Sequence, residues 1–414
     1  MRFTGIALLI TAVAFTAFAA PEKSTVNKTQ KSSTVKKNSS KNNNKKKRTP
    51  PPANVNISQY APNGGNVTEA MRKAIKSRTP LIIFDKPGVY QLEPVALFRP
   101  VQIILNDGVT IKALEPAPAP KEKKAAALPG LFTGDRVKQI IFKGKGNAVI
   151  IGNKLPVFAF ASSNNIAISN LTVSDGKTAI EAQNCWNFRI HDVVFDNNSG
   201  TAVNIYGGGW NGLLNTQFRN IKSLALNIVA DQNGKIPNLT IENCEFFNNS
   251  QSVKVAAPAK FTIKPVDLKK NPKYRPPRLT FRSCRFFNNT DLDLEVYGAL
   301  ADGMVRIENS VFTNPANPAL KFAEFTAGSG LNAEVVNTIF RPAQTNTNTP
   351  VTVASVQDKP FGNIKFTKTT VAQPVNKKAI TYKLKKSSGN IAGTLKVIAA
   401  DGSVKNATLV MEDK

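Results

Sequence analysis

The sequence predicts an all-β chain wound as a parallel β-helix, a three-sided solenoid whose coils stack along one axis. Three observations predict it. A short phrase of apolar and polar residues recurs through most of the chain, its copies fall about one coil apart, and one polar position within them is nearly always asparagine.

The clearest copies are Leu239 to Asn249 and Leu279 to Asn289, which read LTIENCEFFNN and LTFRSCRFFNN. The phrase recurs at Ile168 to Val173, Ile190 to Phe195, Leu213 to Phe218, Ile307 to Phe312 and Val335 to Phe340, and more weakly at Phe366 to Val371. Its apolar residue at plus five (Val173, Phe195, Phe218, Phe246, Phe286, Phe312, Phe340 and Val371) is spaced 22, 23, 28, 40, 26, 28 and 31 residues from one copy to the next. Most of these steps fit one turn of a three-sided solenoid, the longer ones carrying loop insertions. Alternate side chains of a strand point inward, so Leu239 and Ile241 enter the core; a polar bend then resets the alternation, and Cys244 and Phe246 enter from the next face.

The bend column reads Asn170, Asp192, Asn215, Asn243, Ser283, Asn309 and Asn337. Asparagine tolerates the left-handed backbone that a tight corner needs, and coils about 4.8 Å apart let side-chain amides bond up and down the stack. A second polar column follows the aromatic position: Asp175, Asn197, Asn220, Asn248, Asn288 and Asn314. Both columns are structural.

At the front, Asn66-Val-Thr-Glu69 reads as a helix start with a reciprocal cap, and Val67, Ala70, Met71, Ala74 and Ile75 form one apolar face. Gly88-Val-Tyr90 and alternating apolar residues in Val101 to Ile104 and Val109 to Ile111 follow. At the far end, Leu395 to Ala399, Asp401-Gly402 and Val404 to Met411 read as a β-hairpin that caps the stack. The whole pattern, over roughly residues 56 to 375, resembles the right-handed parallel β-helix of the pectate lyase and polygalacturonase (pectin lyase-like) superfamily. The resemblance implies a right-handed solenoid closed by the short helix, with a sugar-binding groove on one sheet.

Outside the repeat the chain changes character. Residues 1–19 read as a signal peptide: Arg2, an apolar run from Ile6 to Phe18, and a small-x-small step at Ala17-Phe18-Ala19. Residues 20–55 are rich in Lys, Asn and Ser, lack aromatics and are expected to be a disordered tail. Residues 56–377 form the β-helix domain and 378–414 the capping strands. A secreted, extracellular or periplasmic location follows, with no transmembrane segment after signal removal. The formal net charge is +28. It points to an anionic partner, either acidic polysaccharide or another cell-surface polymer, or else to a solvated basic surface; nucleic acid has charge alone in its favour. Three cysteines are too few for a disulfide scaffold. One histidine, His191, rules out mechanisms or metal sites that need two.

After each aromatic position the chain makes one more strand, and the middle residues of these strands should form an outward row: Glu181, Asn204, Asn227, Lys254, Glu295, Lys321 and then Thr352. In the resembled superfamily this is the face that binds sugar chains. Tyr206, Trp210 and Tyr297 lie beside it, where rings could stack on sugars. The insertion from Ala256 to Pro277, with Lys260, Lys264, Lys269, Lys270, Lys273 and Arg275, would be a basic wall. The substrate-binding set is therefore Glu181, Asn204, Tyr206, Trp210, Asn227, Lys254, Glu295, Tyr297 and Lys321. Against this, Lys254, Glu295 and Lys321 could simply neutralise one another across adjacent strands, and the aromatics could be ordinary surface rings.

The sequence does not carry the full set of polygalacturonase acid–base motifs. Asp175-Gly176 faintly echoes that family's first aspartate motif, but Ser199-Gly200 stands where a paired aspartate is needed, and the histidine-glycine and arginine-x-lysine motifs are not found. A lyase would need a basic group, for which Lys254 or Lys321 are candidates with Glu295 as partner. No cofactor is expected beyond a weak calcium candidate: Asp291, Asp293 and Glu295 sit at alternating positions that would share one face. His191 points outward away from the row. Cys244 and Cys284 stack inward, as thiols or as a disulfide. Three functions compete: binding of an anionic polysaccharide along the row without efficient catalysis; a lyase or glycoside hydrolase acting on uronate-containing or sulfated glycans; and a structural or adhesion role in the envelope. Oligomeric state is open.

Overall fold

The computed structural model describes residues 52–114, 129–257, 277–297, 303–315, 317–323, 331–341, 350–354, 363–373, 380–383, 390–399 and 401–409. The expected signal peptide, most of the expected tail, and the Lys- and Arg-bearing part of the long insertion lie outside the described residues.

Within a typical coil three short strands follow one another, as in Leu239–Glu242, Glu245–Phe247 and Gln251–Ala256. Each pairs in parallel with its counterpart one coil on, so Ile241 meets Phe281, Phe246 meets Phe286 and Val255 meets Val296. The third strands make an eleven-stranded sheet in strict chain order, from Val95–Ala96 to Ile380–Lys383. Strands such as Asn164–Ser174 and Trp186–Asp196 run through the bend, joining the first and second faces into one continuous ladder. The stacking passes residue 377, because Ile380–Lys383 extends the third sheet and Asn390–Ile398 pairs in parallel with Asn363–Ala372.

Both polar columns sit at the corners as the sequence requires. Every member of the bend column has positive φ, from 46° at Asn337 to 56° at Asp192, and the second column does too, from 50° at Asn314 to 56° at Asn220. Stacked amides link several of them: Asn215 Nδ2 donates to Asp192 Oδ1 at 3.1 Å and Asn337 Nδ2 to Asn309 Oδ1 at 2.8 Å. These side chains face solvent or the edge of the coil. A further ladder is buried. Asn198, Asn249 and Asn289 are at most 1% exposed, and Asn249 Oδ1 accepts the amide of Ile221 at 3.0 Å while its Nδ2 donates to the Phe218 carbonyl. Each such residue satisfies backbone groups that the turn removes from the sheet ladder.

The core between the faces is stacked phenylalanine. Phe218, Phe246, Phe286 and Phe312 lie 4.7, 4.8 and 4.4 Å apart between ring centroids, within 5° of parallel. Cys244 and Cys284 are free, buried thiols in the inward position beside this stack, with Ser310 and Thr338 buried at the same position in later coils. Each bonds a carbonyl at the corner, for example Cys284 Sγ to Ile241 O at 3.4 Å. Burial pushes the Cys284 thiol up to about 12 and that of Cys244 further still, so both are inert.

At the front, the helix Thr68–Lys76 buries Met71, Ala74 and Ile75 over the end of the stack. Its cap differs from expectation. Asn66 Oδ1 accepts from the Thr68 amide at 3.0 Å, but Glu69 turns outward to Arg72 instead of back to Asn66. At the other end Asn390–Ile398 and Val404–Leu409 form the expected antiparallel hairpin, the sole antiparallel pairing among the described strands. Among the described residues no helix is long and apolar enough to cross a membrane.

Candidate functional site

The third sheet sets out the expected row strand by strand. Glu181 pairs with Asn204, Asn204 with Asn227, Asn227 with Lys254, Lys254 with Glu295, Glu295 with Lys321 and Lys321 with Thr352. Flanking apolar residues such as Leu226, Ile228, Val253 and Val255 are fully buried; alternation therefore sends the row outward.

Neighbours along the row bond to one another. Asn204 Nδ2 donates to Glu181 Oε2 at 2.9 Å, and Asn227 Nδ2 to Asn204 Oδ1 at 3.0 Å. Lys321 Nζ donates to Glu295 Oε1 at 2.9 Å, and Lys254 Nζ lies 3.7 Å from Glu295 Oε2. The two lysine stems cover Glu295, leaving its side chain 6% exposed while their own stay about one-third exposed (35% and 32%). The three side chains thus pair with one another across adjacent strands, two ammonium groups on one carboxylate.

The positions two residues further along each strand form a second outward row that the sequence reading drew on only for its tyrosines: Gln183, Tyr206, Val229, Ala256 and Tyr297. The same period of two that located the first row locates this one. Gln183 Nε2 donates to Glu181 Oε1 at 3.3 Å. Lys254 Nζ stands 4.8 Å from the Tyr297 ring centroid, a cation–π contact. Between Tyr206 and Lys254 the surface is hollowed by 610 Å³, with Asn227, Val229, Ala256 and Asp231 on its lining. Burial, then the nearby Glu181 carboxylate, raises the Tyr206 phenol above its ordinary value. Asp231 Oδ1 accepts the amides of Asn233 and Lys235 at 2.8 and 3.0 Å, which ties it to its own loop.

Three expected contributors fall elsewhere. Trp210 is 72% exposed but lines a depression on the first face, with Arg189 and Arg278. Gly207 and Gly208, both at positive φ, turn the chain through the corner between Tyr206 and Trp210. Asp291 and Asp293 do not join Glu295. Asp293 lies just ahead of the strand Leu294–Tyr297, where the turn interrupts the alternation, so its side chain is fully buried and accepts from Asn289 Nδ2 at 2.7 Å. Burial pushes it up to about 8. Asp291 accepts from Asn317 instead. Among the described residues no group of three His, Cys, Asp or Glu side chains is placed to hold a metal ion. His191 is a partly exposed surface residue whose Nδ1 lies 3.0 Å from Asp192 Oδ2.

The family described as "Right handed beta helix region" matches residues 139–340. The fold is a right-handed parallel β-helix. Solved structures share the fold. A hyperthermoactive exopolygalacturonase from Thermotoga maritima superimposes on 86% of this β-helix protein and 94% of its own chain, at TM-score 0.57 and 10% identity. A family 28 exopolygalacturonase from Yersinia enterocolitica gives TM-score 0.53 at 11% identity, over 86% and 79% of the two chains. PfbA, a surface adhesin of Streptococcus pneumoniae, overlaps over 87% and 97% at 14% identity, with TM-score 0.49. No curated protein matches the sequence. At such identities the likeness is one of fold, and the chemistry must be read from the β-helix protein's own residues.

Proposed function

We propose that this β-helix protein is exported and holds an acidic polysaccharide along the outward face of its third sheet, without efficient turnover. One observation carries the reading: a row of amide, carboxylate and ammonium groups, hydrogen-bonded from Glu181 to Asn227 and ion-paired from Lys254 to Lys321, runs beside an open 610 Å³ hollow edged by Tyr206. Such a surface offers donors and acceptors to sugar hydroxyls and an aromatic edge to a sugar face. Preference for an acidic polymer rests on the formal net charge of +28 and on the two lysines, since the four charges of the row itself cancel.

The same geometry argues against acid–base hydrolysis there. An inverting pair stands roughly 6.5–9.5 Å apart. Glu181 and Glu295 are four strands apart in register, about 19 Å at ~4.8 Å per strand. Each is also already engaged, Glu181 by Asn204 and Gln183 and Glu295 by both lysines.

The test is to incubate the mature chain with uronate-containing and sulfated polysaccharides, with and without calcium. The expected result is retention in an acidic-glycan gel that weakens in the double variant Lys254→Ala, Lys321→Ala, with neither new reducing ends nor unsaturated-uronate absorbance. Product formation would make it an enzyme, and retention indifferent to the lysines would remove the row from the account.

A further inference from the structure

Both tryptophans of the chain stand in the open at one corner of the solenoid, away from the third sheet. Trp186 is 50% and Trp210 72% exposed. Trp186 pairs in register with Gly209, so the two indoles sit on adjacent coils. Trp210 is held there at φ 57°, a backbone conformation that bulky residues rarely adopt. Large aromatic side chains usually gain most by burial; two of them kept in water at one corner call for a partner.

Next to Trp210 the first face is hollow. Its outward positions run Arg189, Gly212, Thr240 and Thr280 in register. Gly212 contributes no side chain, and a Cβ there would have its nearest neighbour 3.9 Å away. The resulting depression measures 430 Å³, bounded by Trp210, Arg189 and Arg278 and floored by Gly212 and Thr240. A further hollow of 510 Å³ shares Arg189 and continues along the same face toward Pro80 and Pro100. No acidic residue lines either one.

The two arginines differ from others on the same faces. Arg219 meets Asp196, Arg285 meets Glu245, Arg282 meets Glu242 and Glu308, and Arg306 meets Glu308 and Glu334. Among the described residues Arg189 and Arg278 meet no carboxylate. Arg189 Nε donates to Asn187 Oδ1 at 2.9 Å, which fixes the side chain and leaves its terminal N–H groups for a ligand. Arg278 lies three strands on from Arg189 and two residues before its register position, about 16 Å away at ~4.8 Å per strand and ~3.3 Å per residue.

We propose that this groove is a second glycan site, specific for acidic sugars. A ring rests its apolar face on Trp210, and carboxylates of the same chain dock on the guanidinium forks of Arg189 and Arg278, whose planar geometry suits bidentate pairing. Hydroxyls meet Thr240 and Thr280 in between. An acidic glycan fits better than a nucleic acid, which would call for cations tracking a closely spaced phosphate backbone. This goes beyond the third-sheet reading and does not depend on it.

The chain's own tryptophans report on this site, because both lie at the corner. The mature protein is titrated with a uronic-acid hexasaccharide while tryptophan emission is followed, alongside the carboxyl-reduced hexasaccharide and a single-stranded DNA oligomer. A saturable emission change is expected with the acidic sugar and a much weaker one with the reduced sugar. Arg189→Gln with Arg278→Gln should weaken it by about tenfold or more, the worth of ~1.4 kcal/mol; Trp210→Ala should weaken it similarly, read through Trp186. These side chains are exposed, and an unchanged melting temperature confirms that the variants fold. The row variant Lys254→Ala, Lys321→Ala should leave the titration as it is, even where it weakens gel retention. The proposal is overturned if the arginine variant binds like the wild type, if the reduced sugar binds equally well, if only DNA perturbs the tryptophans, or if the row variant removes the signal.

Discussion

Lys321 Nζ donates to Glu295 Oε1 at 2.9 Å, over a carboxylate whose side chain is 6% exposed. Lys254 closes the other side at 3.7 Å. Replacing Lys321 with Met leaves Glu295 covered but with one cation fewer. A fully buried pair broken this way loses 3–5 kcal/mol; with the lysines about one-third exposed and Lys254 still present, a loss of about 1–2 kcal/mol is expected in urea unfolding. Glu295→Gln added to Lys321→Met should recover most of it. Equal losses in the single and double variants would mean that the charge pair is not the cause.

Asp293 should make stability depend on pH. Burial pushes its carboxyl up to about 8, far above the value of ~3.9 for an unfolded chain. Between those values the folded state keeps a proton that the unfolded state has lost. Its contribution is therefore fully present below about pH 4 and is lost as pH rises toward about 8. Asp293→Asn should flatten this decline and be the more stable protein at about pH 8. Parallel stability–pH curves for the two would show that the buried carboxyl does not titrate there.

The corner residues separate backbone strain from side-chain bonding. Asn243 has φ 53° and donates weakly, at 3.4 Å, to Asn215. Asn243→Ala should cost about 1–2 kcal/mol, because a Cβ disfavours the left-handed conformation, while Asn243→Gly should come within a few tenths of the wild type. If glycine proves as harmful as alanine, the amide ladder and not the backbone holds the corner.

Phe286 tests the core stack. It lies between Phe246 and Phe312 at 4.8 and 4.4 Å and is fully buried. Phe286→Ala should cost about 3–5 kcal/mol, as large-to-small core changes do, and Phe286→Leu clearly less. Calorimetric unfolding measures both.

Much of this was legible in the sequence because a solenoid repeats its physics coil by coil. The Asn column marked corners, corners fixed the alternation, and alternation put Glu181 through Lys321 on one face, as the register bears out. What failed lies where alternation stops. Trp210 follows Tyr206 by four residues, yet Gly207 and Gly208 carry it round a corner; at Gly208 a Cβ would lie 2.0 Å from the Cys185 carbonyl, so only glycine passes. Asp293 precedes its strand and folds inward. The buried ladder of Asn198, Asn249 and Asn289 was visible as the second residue of each Asn-Asn doublet, but an inward asparagine is recognisable only once the backbone groups it satisfies are known.

The central claim is that the third-sheet row grips a polysaccharide and does not cut it. Calorimetric titration of the mature chain with a uronic-acid oligosaccharide, with the ligand recovered afterwards, tests it most directly. In a background of Arg189→Gln and Arg278→Gln, measurable binding should remain, weaken by about tenfold when Asn227 and Lys254 are also replaced by alanine, and return the oligosaccharide intact. Binding untouched by those two replacements, or a shortened or unsaturated ligand, would contradict the account.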